Sequence, residues 1–337
     1  MRDRHSRREN GTVPLGPLVA RRALITGISG FAGGFLAEHL LACGEEVLGA
    51  SLDGGWEPRS APGLHGRVAL VPWDLARPDG LSEQSRRQIL EFQPDCIYHL
   101  AALSVPNECG ADRPTPRALS TNVEGTRRVL ELAASLPSRP RVVTISSSHV
   151  YAPVSAAAWQ VDETAPLGPL RGYGQTKLAA EAEVRRAILQ QGIDAVMVRP
   201  FQHAGPRQNP KMMLSHWARQ FAAGSGPVQV QTCDAFVDLT DVRDMVRAYR
   251  LLAEHGRGGE VYNVGSGVRR RSGDVLEVLR RLADSSRPVV ESRPGVKQDP
   301  IADTARLRQA TGWQPSITLE TTVADTLAWW RDWAVEW

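Results

Sequence analysis

The sequence predicts an α/β fold, a doubly wound parallel sheet with a smaller C-terminal domain, on three observations. Strand-like and helix-like segments alternate through about residue 200, which is the pattern of a parallel sheet covered by helices. A glycine-rich stretch at residues 26–33 separates the first strand from the first helix. Beyond residue 200, glycine and proline recur and the strand-like runs become short, which indicates a second architecture.

These observations divide the chain into three parts. We expect a flexible tail over residues 1–20, a dinucleotide-binding domain over residues 21–200 and a mainly substrate-binding domain over residues 201–333. Segments of the last part, such as Glu260–Val264, are expected to return to the main sheet. The helical spacing of apolar residues over Leu319–Trp333 indicates that its tryptophans pack in a core rather than hold a ligand.

The glycine-rich turn predicts a Rossmann-type dinucleotide site. Residues 22–26 are expected to form a buried strand, Phe35–Cys43 a helix and Glu46–Ala50 the next strand. Glycine permits the tight turn and lets backbone N–H groups approach a pyrophosphate at the N-terminus of the helix. The glycines that we expect to contact the cofactor are Gly27, Gly30 and Gly33.

Later elements bring further residues to the same edge of the predicted sheet. The elements expected there are strands at Arg67–Val71, Asp95–Leu100, Arg141–Ser146 and Ala195–Arg199, a helix over Arg117–Ser135 and a helix that carries Tyr173. Ligands of such sheets bind beyond the carboxyl ends of the strands. Asp74 follows a strand and is expected near an adenine, and the small residues Ala101 and Ala102 let the backbone pass close to a cofactor.

A tyrosine, a lysine and a serine predict redox chemistry at a carbon–oxygen bond. Tyr173 and Lys177 are four residues apart, so they share a face if they lie on one helix. A cation one turn away favours the phenolate and lowers a tyrosine pKa that is ordinarily about 10. Tyr173 can then exchange a proton with a substrate oxygen that Ser147 orients. This spacing recurs by accident in many proteins, but here it follows the glycine turn and the serine run in the expected order.

Composition and charge argue against several other classes of protein. The 337 residues carry a net charge of +3, too small to predict nucleic acid as a partner. No run approaches the roughly 18 apolar residues of a membrane span, and residues 1–20 lack the apolar region of a secretory signal. We expect no metal, because the cysteines lack ligand spacing. They are predicted to be reduced thiols of a cytoplasmic protein: Cys43, Cys96, Cys109 and Cys233.

With these motifs the chain resembles the extended short-chain dehydrogenase/reductases, a family of NAD-dependent nucleotide-sugar epimerases, dehydratases and reductases. The resemblance also rests on His99-Leu100-Ala101-Ala102, Asn122-Val123-Glu124-Gly125-Thr126 and Arg199-Pro200-Phe201. Other stretches are similar to GDP-4-dehydro-6-deoxy-D-mannose reductases, with GDP-mannose 4,6-dehydratases as near relatives. They are Gln202-His203-Ala204-Gly205-Pro206, residues 239–249, residues 259–267 and Thr311-Gly312-Trp313-Gln314-Pro315.

The resemblance implies that NAD(P)H reduces the 4-keto group of GDP-4-dehydro-6-deoxy-D-mannose, with Ser147, Tyr173 and Lys177 as the catalytic set. It also implies a homodimer that pairs through residues 174–190 and 117–135. The further cofactor contacts that it implies are Ser29, Phe31, Ser51, Asp53, Leu75, Leu100, Asn122, Tyr173, Lys177 and Pro200. The substrate contacts that it implies are Ser104, Ser147, Ser148, Gln202, His203, Arg207, Arg293 and Lys297.

Several positions leave alternatives open. His149 stands where related 4,6-dehydratases carry a glutamate and epimerising relatives a cysteine, so it is either an acid or base or only a hydrogen-bond partner of a loop carbonyl. Asp53 bound to a ribose would favour NAD, whereas Ser51 at the strand end leaves room for the 2′-phosphate of NADP. Arg293 and Lys297 are either charge partners of the diphosphate or exposed loop residues.

Two departures from the family pattern leave the nucleotide open. Gln202 replaces the usual asparagine, and Val237 stands where an arginine is often found. The rival enzyme function is that of a 4,6-dehydratase or 4-epimerase that retains its NAD(P). A further alternative is a regulator that binds a dinucleotide without catalysis, but the complete set of Ser147, Tyr173 and Lys177 argues against it.

Overall fold

The computed structural model describes residues 21–335, and the predicted flexible tail lies outside that range. Its strands are, in chain order, β1 (Arg22–Thr26), β2 (Glu46–Ser51), β3 (Ala69–Pro72), β4 (Cys96–His99), β5 (Arg141–Ile145), β6 (Gln160–Val161), β7 (Ala195–Pro200), β8 (Gln202–Ala204), β9 (Val228–Val230), β10 (Ala235–Asp241), β11 (Val261–Val264), β12 (Arg269–Arg271), β13 (Val289–Glu291), β14 (Lys297–Gln298) and β15 (Ile301–Ala302).

The helices are, in chain order, α1 (Phe31–Ala42), α2 (Glu83–Phe92), α3 (Pro116–Leu119), α4 (Gly125–Ser135), α5 (Gly172–Gln191), α6 (Met213–Ala223), α7 (Val242–His255), α8 (Ser272–Ala283), α9 (Ala305–Thr311) and α10 (Leu319–Val335). Single turns of 3₁₀-helix lie at Pro62–Leu64, Pro106–Glu108 and Ser148–Val150, and a π-helix lies at Ser120–Glu124.

Seven parallel strands form the main sheet, in the order β11-β7-β5-β4-β1-β2-β3. The chain starts at β1, moves outward through β2 and β3, and then crosses to β4 and continues to the opposite edge. This reversal is that of a doubly wound sheet, and it confirms the predicted fold class. It also opens a crevice between the carboxyl ends of β1 and β4, where ligands bind in such sheets.

Apolar layers cover both faces of this sheet. The layer that includes α1, α7 and α9 contains Leu36, Leu40, Val246, Leu252 and Leu307. The layer that includes α2, α4 and α5 contains Ile89, Val129, Leu130 and Val184. Each fully buried side chain of this kind contributes roughly 1.5–3 kcal/mol, so the two layers hold the strand ends, and the residues that follow them, in fixed positions.

The start of α1, the start of β3 and the helix predicted over residues 117–135 differ most from the prediction. α1 begins at Phe31, four residues earlier than predicted. The prediction left out Gly33 and Gly34 because glycine disfavours helices, but both are helical here. β3 begins at Ala69, two residues later than predicted, because the backbone N–H of Arg67 donates to the carbonyl of Leu64 and closes a turn. The predicted helix over residues 117–135 is interrupted by the π-helix at Ser120–Glu124.

The chain after β7 builds a second group of elements and also adds to the main sheet. β10 pairs with β8, β12 and β14, while α6, α8 and α10 enclose an apolar cluster that contains Trp217, Leu276 and Trp330. β11 lies beside β7 in the main sheet, over the pairs Val261–Met197 to Val264–Pro200. Within residues 21–335, no helix is long and apolar enough to cross a membrane.

Asp238, in the middle of β10, joins three segments of this second group. Its carboxylate is buried and accepts hydrogen bonds from the backbone N–H groups of Ser266, Gly267 and Ala302, at 2.7, 2.9 and 3.1 Å. The hydroxyl of Ser266 donates to it as well, at 2.6 Å. One side chain thereby fixes the loop after β11 and the strand β15 against β10.

Candidate active site

A cleft of about 710 Å³ opens at the carboxyl ends of β1 and β4. The sequence-predicted residues that line it are Gly27, Ser29, Gly30, Phe31, Gly33, Ser51, Asp74, Leu75, Leu100, Ala101, Ala102, Ser104, Tyr173, Lys177, Pro200, His203 and Arg207. The fold therefore brings segments from Gly27 to Arg207 to one edge of the sheet. Within the described part of the chain, no group of three or more His, Cys, Asp or Glu side chains is arranged to hold a metal ion.

The glycine turn leaves the start of α1 open to a ligand. Gly27 has a φ of +72°, which favours glycine, and a Cβ there would lie 2.6 Å from the backbone nitrogen of Ala101. A Cβ on Gly33 would collide with the carbonyl oxygen of Gly27. Gly30 is the N-cap of α1, and no side chain caps this end of the helix. The free N–H groups and the positive end of the helix dipole fit the pyrophosphate of a dinucleotide.

α5 and the end of β5 bring the predicted catalytic residues together. Tyr173 and Lys177 lie one turn apart on α5, and both are buried. The Lys177 Nζ atom donates a hydrogen bond of 2.8 Å to the carbonyl oxygen of Ile145, the last residue of β5. Ser147 follows two residues later, and its hydroxyl acts on the pKa of Tyr173.

Burial controls the protonation of these groups. It raises the pKa of Tyr173 to about 12, against a smaller lowering by the hydrogen bond from Ser147. It lowers the pKa of Lys177 to about 8. The expectation that Lys177 lowers the pKa of Tyr173 is therefore wrong, because the phenol is cut off from water and the ammonium group is directed at Ile145. Tyr173 is a neutral phenol that can donate a proton.

A buried ion pair holds α5, the helix that carries Tyr173 and Lys177, against β7. Arg199 in β7 and Glu181 in α5 are both almost entirely buried, with Nη2 and Oε2 2.8 Å apart. The Ser146 hydroxyl donates to Glu181 at 2.6 Å. Arg199 also donates to the Tyr151 hydroxyl, which itself donates to Asn263 in β11. This network fixes α5 relative to the strands whose ends form the cleft.

Asn122 lies in the π-helix, is buried and does not line the cleft, and its contact with a cofactor stays a prediction. Its Oδ1 atom accepts from the backbone N–H of Leu103 at 2.8 Å, and its Nδ2 atom donates to the Leu103 carbonyl and to the Thr176 hydroxyl. These bonds use the donors and the acceptor of the amide within the protein. Asn122 therefore positions α5 against the loop that follows β4.

His149 lies beside two predicted catalytic residues, Ser147 and Tyr173. Its Nδ1 atom is 3.1 Å from the Ser147 hydroxyl, and its ring packs edge-on against Tyr173 with the ring centroids 5.5 Å apart. Loss of contact with water lowers the pKa of His149, while Asp299 acts in the opposite direction. In the tautomer protonated at Nδ1, the neutral imidazole donates to the Ser147 oxygen and leaves the hydroxyl hydrogen free for another acceptor, so the observed partner is a predicted catalytic side chain rather than a loop carbonyl.

Asp53 and Arg207 are engaged within the protein. The Asp53 carboxylate accepts from the backbone N–H of Gly55 at 2.9 Å, and Asp53 does not line the cleft. Its contact with a ribose stays a prediction. Arg207 lines the cleft, but its guanidinium forms two hydrogen bonds with Glu38.

Two other predicted substrate residues, Gln202 and Lys297, contact Asp299. The Gln202 side chain donates to Asp299 at 2.7 Å, and the Lys297 Nζ atom lies 3.0 Å from the same carboxylate. The positive charge that Lys297 would offer to a diphosphate is therefore partly neutralised. Arg293 is exposed and forms no ion pair within residues 21–335. Ser148 is buried in the turn that follows β5.

Sequence reasoning missed several residues that line the cleft. They are Leu52, Glu57, Arg59, Trp73, Arg117, Thr121, Asn209 and Tyr249. Arg59 belongs to the connection between β2 and β3, which has no periodic pattern to indicate what it faces. Tyr249 follows the apolar spacing of α7 and is fully buried, yet its hydroxyl has no hydrogen-bond partner in the described structure. The signal that could have indicated Tyr249 is a phenol among the apolar residues along one face of α7.

Comparison with known proteins decides the family. The sequence model of the NAD dependent epimerase/dehydratase family matches residues 23–265. The chain belongs to this family. This family member is 29% identical over 326 residues to the GDP-6-deoxy-D-mannose reductase of Pseudomonas aeruginosa, covering 93% of this chain and 98% of that protein. It is 28% identical to the UDP-glucose 4-epimerase of Mycolicibacterium smegmatis, with coverage of 92% and 99%.

Solved structures agree with the fold of this epimerase/dehydratase family member. The structure of RMD from Pseudomonas aeruginosa complexed with NADPH has a TM-score of 0.78 and 29% sequence identity, covering 93% of this chain and 99% of that one. A family of NAD(P)-dependent enzymes, together with the uncapped α1 and the glycine turn, confirms the predicted NAD(P) cofactor.

Proposed function

We propose that this family member reduces the 4-keto group of GDP-4-dehydro-6-deoxy-D-mannose with NAD(P)H. The observation that carries the proposal is Tyr173, a buried phenol with a pKa of about 12 that lines the cleft. Such a group is protonated near neutral pH, and the reduction of a ketone requires a proton donor. Similarity over nearly the whole chain to a GDP-6-deoxy-D-mannose reductase supports the choice of substrate.

The residues of the cleft divide the chemical work. When bound, NAD(P)H supplies a hydride to the carbonyl carbon of the sugar. Tyr173 donates its proton to the carbonyl oxygen as negative charge develops there, and Ser147 holds the same oxygen by a hydrogen bond. The ammonium group of Lys177 stabilises the phenolate that remains. His149 orients the Ser147 hydroxyl through the contact of 3.1 Å.

The sugar nucleotide would lie between the catalytic residues and the second group of elements. Ser104, His203 and Arg207 line the cleft and are proposed substrate contacts. Gln202 and Lys297 meet at one carboxylate, Asp299, which also acts on the pKa of His149. We include Ser148 and Arg293 in the proposed contact set from the family resemblance alone.

The experiment incubates the purified protein with GDP-4-dehydro-6-deoxy-D-mannose and either NADPH or NADH, and follows the absorbance of the reduced nicotinamide. We expect stoichiometric consumption of one coenzyme. Tyr173→Phe should lower kcat by about 10²–10⁴-fold. The matched control is Tyr262→Phe, which removes a hydroxyl that accepts a hydrogen bond from the backbone N–H of Arg257 and does not line the cleft.

Other outcomes identify the rival functions. Conversion of GDP-mannose or another nucleotide sugar without added coenzyme would assign a dehydratase or epimerase that retains its NAD(P). Binding of the coenzyme without turnover of any sugar nucleotide would indicate a regulator. Unchanged activity of Tyr173→Phe would refute the catalytic assignment in either enzyme.

We further propose a cytoplasmic homodimer. Free thiols at all four cysteines support a reducing compartment. For the dimer, the support is a surface of α5 that leaves Ala182 exposed and Leu178 and Ala179 partly exposed. Light scattering should give twice the chain mass, and Ala182→Arg should reduce it to one chain, whereas an unchanged mass would place the interface elsewhere.

A further inference from the structure

Ser51 presents an unsatisfied polar group to the cleft. It is the last residue of β2 and only 4% exposed. Its Oγ atom has no hydrogen-bond partner in the described structure. A buried hydroxyl without a partner costs free energy, so such groups in native proteins generally receive a partner from a ligand or a water molecule.

The position of Ser51 indicates which part of a cofactor would meet it. In a Rossmann-type sheet, the end of the second strand faces the ribose of the adenosine, and an acidic residue there binds the 2′-hydroxyl of NAD. Here the strand ends in a serine. The nearest acid, Asp53, is directed to the backbone of Gly55 and lies outside the cleft. A phosphate on the 2′-oxygen would meet no carboxylate at the strand end.

Arg59 supplies a free positive charge to the same cleft. It lies in the connection between β2 and β3, and its guanidinium forms no ion pair and no hydrogen bond within residues 21–335. Arg207, by contrast, lines the cleft but is already bound to Glu38. Glu57 also lines the cleft from the connection that carries Arg59, but it is exposed, so water and salt screen its charge.

We propose that Ser51 and Arg59 form a binding site for the 2′-phosphate of NADP(H), and that the protein therefore prefers NADPH to NADH. This inference rests on the proposed use of a nicotinamide coenzyme. A guanidinium is suited to the site because it binds phosphate oxygens through two parallel hydrogen bonds. The Ser51 hydroxyl would donate to a third phosphate oxygen or to the ribose.

The test measures binding of NADPH and NADH by calorimetry, without any sugar nucleotide. We expect NADPH to bind the wild-type protein at least about tenfold more tightly than NADH, because a hydrogen bond between charged groups changes affinity by at least about that factor. Arg59→Ala should weaken NADPH binding by about 10–100-fold and change NADH binding less than about twofold. The matched control is Arg67→Ala, which removes an exposed arginine of the same connection that does not line the cleft.

Adenosine 2′,5′-bisphosphate and 5′-AMP isolate the contribution of the 2′-phosphate. The bisphosphate should bind more tightly than 5′-AMP, and this difference should shrink in Arg59→Ala and in Ser51→Ala. Equal affinities for NADPH and NADH in the wild type, or an equal loss of both in Arg59→Ala, would overturn the proposal. Because no sugar is present, a protein that passes this test but fails to reduce the keto sugar would refute only the proposed function.

Discussion

At the scale of single residues, Lys177 makes the proposed reaction sensitive to pH. Its pKa is about 8, whereas that of Tyr173 is about 12, so Lys177 loses its proton first as the pH rises. The charge that would stabilise the Tyr173 phenolate is then lost. We expect kcat/KM for the reduction to fall as the pH rises through about 8. Lys177→Arg, whose guanidinium stays charged, should extend the plateau to higher pH, and a flat wild-type profile would contradict the assignment.

Lys177 affects folding stability in the opposite direction: its contribution to stability rises with pH, whereas the activity that depends on it falls. Its folded-state pKa of about 8 lies below the ordinary value of 10.5, so between these values the folded protein binds fewer protons than the unfolded chain. The contribution of Lys177 to the free energy of unfolding therefore rises with pH over this window. Urea unfolding at both ends of the window should show this gain in the wild type and not in Lys177→Met.

His149 gives a second prediction for a single residue. If it only orients Ser147, His149→Ala should lower kcat about tenfold or less and leave coenzyme binding unchanged. His255→Ala, at the exposed end of α7, is the control for loss of an imidazole. A loss of about 10²-fold or more would instead make His149 an acid or base, as a dehydratase or epimerase requires.

The spacing of Tyr173 and Lys177 could be predicted from the sequence, because it follows from the helical repeat alone. Their pKa values could not, because these depend on how completely the final fold excludes water from each group. Arg59 could not be predicted as a cleft residue either. Its place depends on the path of an aperiodic connection, which only the packed structure defines.

At the scale of elements, two adjacent glycines in the first turn of α1, Gly33 and Gly34, differ in the space around them. A Cβ on Gly33 would collide with the backbone of Gly27, whereas a Cβ on Gly34 would meet its nearest atom at 3.8 Å. Gly33→Ala should therefore destabilise the protein by about 1–3 kcal/mol and weaken coenzyme binding. Gly34→Ala should raise stability by up to about 1 kcal/mol, since alanine favours helices. Thermal unfolding of both variants measures the contrast, and equal shifts would contradict it.

The same glycines explain why the boundary of α1 could not be predicted. Helix propensity argues against a first turn that contains two glycines, but the close approach of Gly33 to Gly27 stabilises that turn through packing. The π-helix at Ser120–Glu124 is a similar case. Its bulge places Asn122 between Leu103 and Thr176, and no local pattern in the helix indicates this long-range requirement.

At the scale of the whole molecule, Asp238 holds the second group of elements together. In Asp238→Asn the new amide would face N–H donors such as those of Gly267 and Ala302, which would lose their acceptor. We expect a loss of about 2 kcal/mol or more in the free energy of unfolding. The control is Asp234→Asn, which affects an exposed ion pair with Arg271 and should cost about 1 kcal/mol or less. Equal losses in urea unfolding would contradict this role.

The fold class could be predicted because alternating strands and helices admit few arrangements, and the glycine turn identifies the strand that starts the sheet. The arrangement after residue 200 was harder to predict because its strands are short and pair over long separations. Hydrogen bonds to Asp238 from residues 28 to 64 positions away are an example. Such contacts depend on the tertiary structure and leave no local periodicity.

The pairing of β11 with β7 has a consequence for synthesis on the ribosome. β7 contains buried apolar residues such as Met197 and Val198, and β11 covers one of its edges. Between Pro200 and Val261 lie about 60 residues, which take about 3–12 s to translate at about 5–20 residues per second. During that interval the nascent sheet has an open apolar edge, which is a template for aggregation. Chaperone demand during translation should therefore peak before Val264 leaves the exit tunnel.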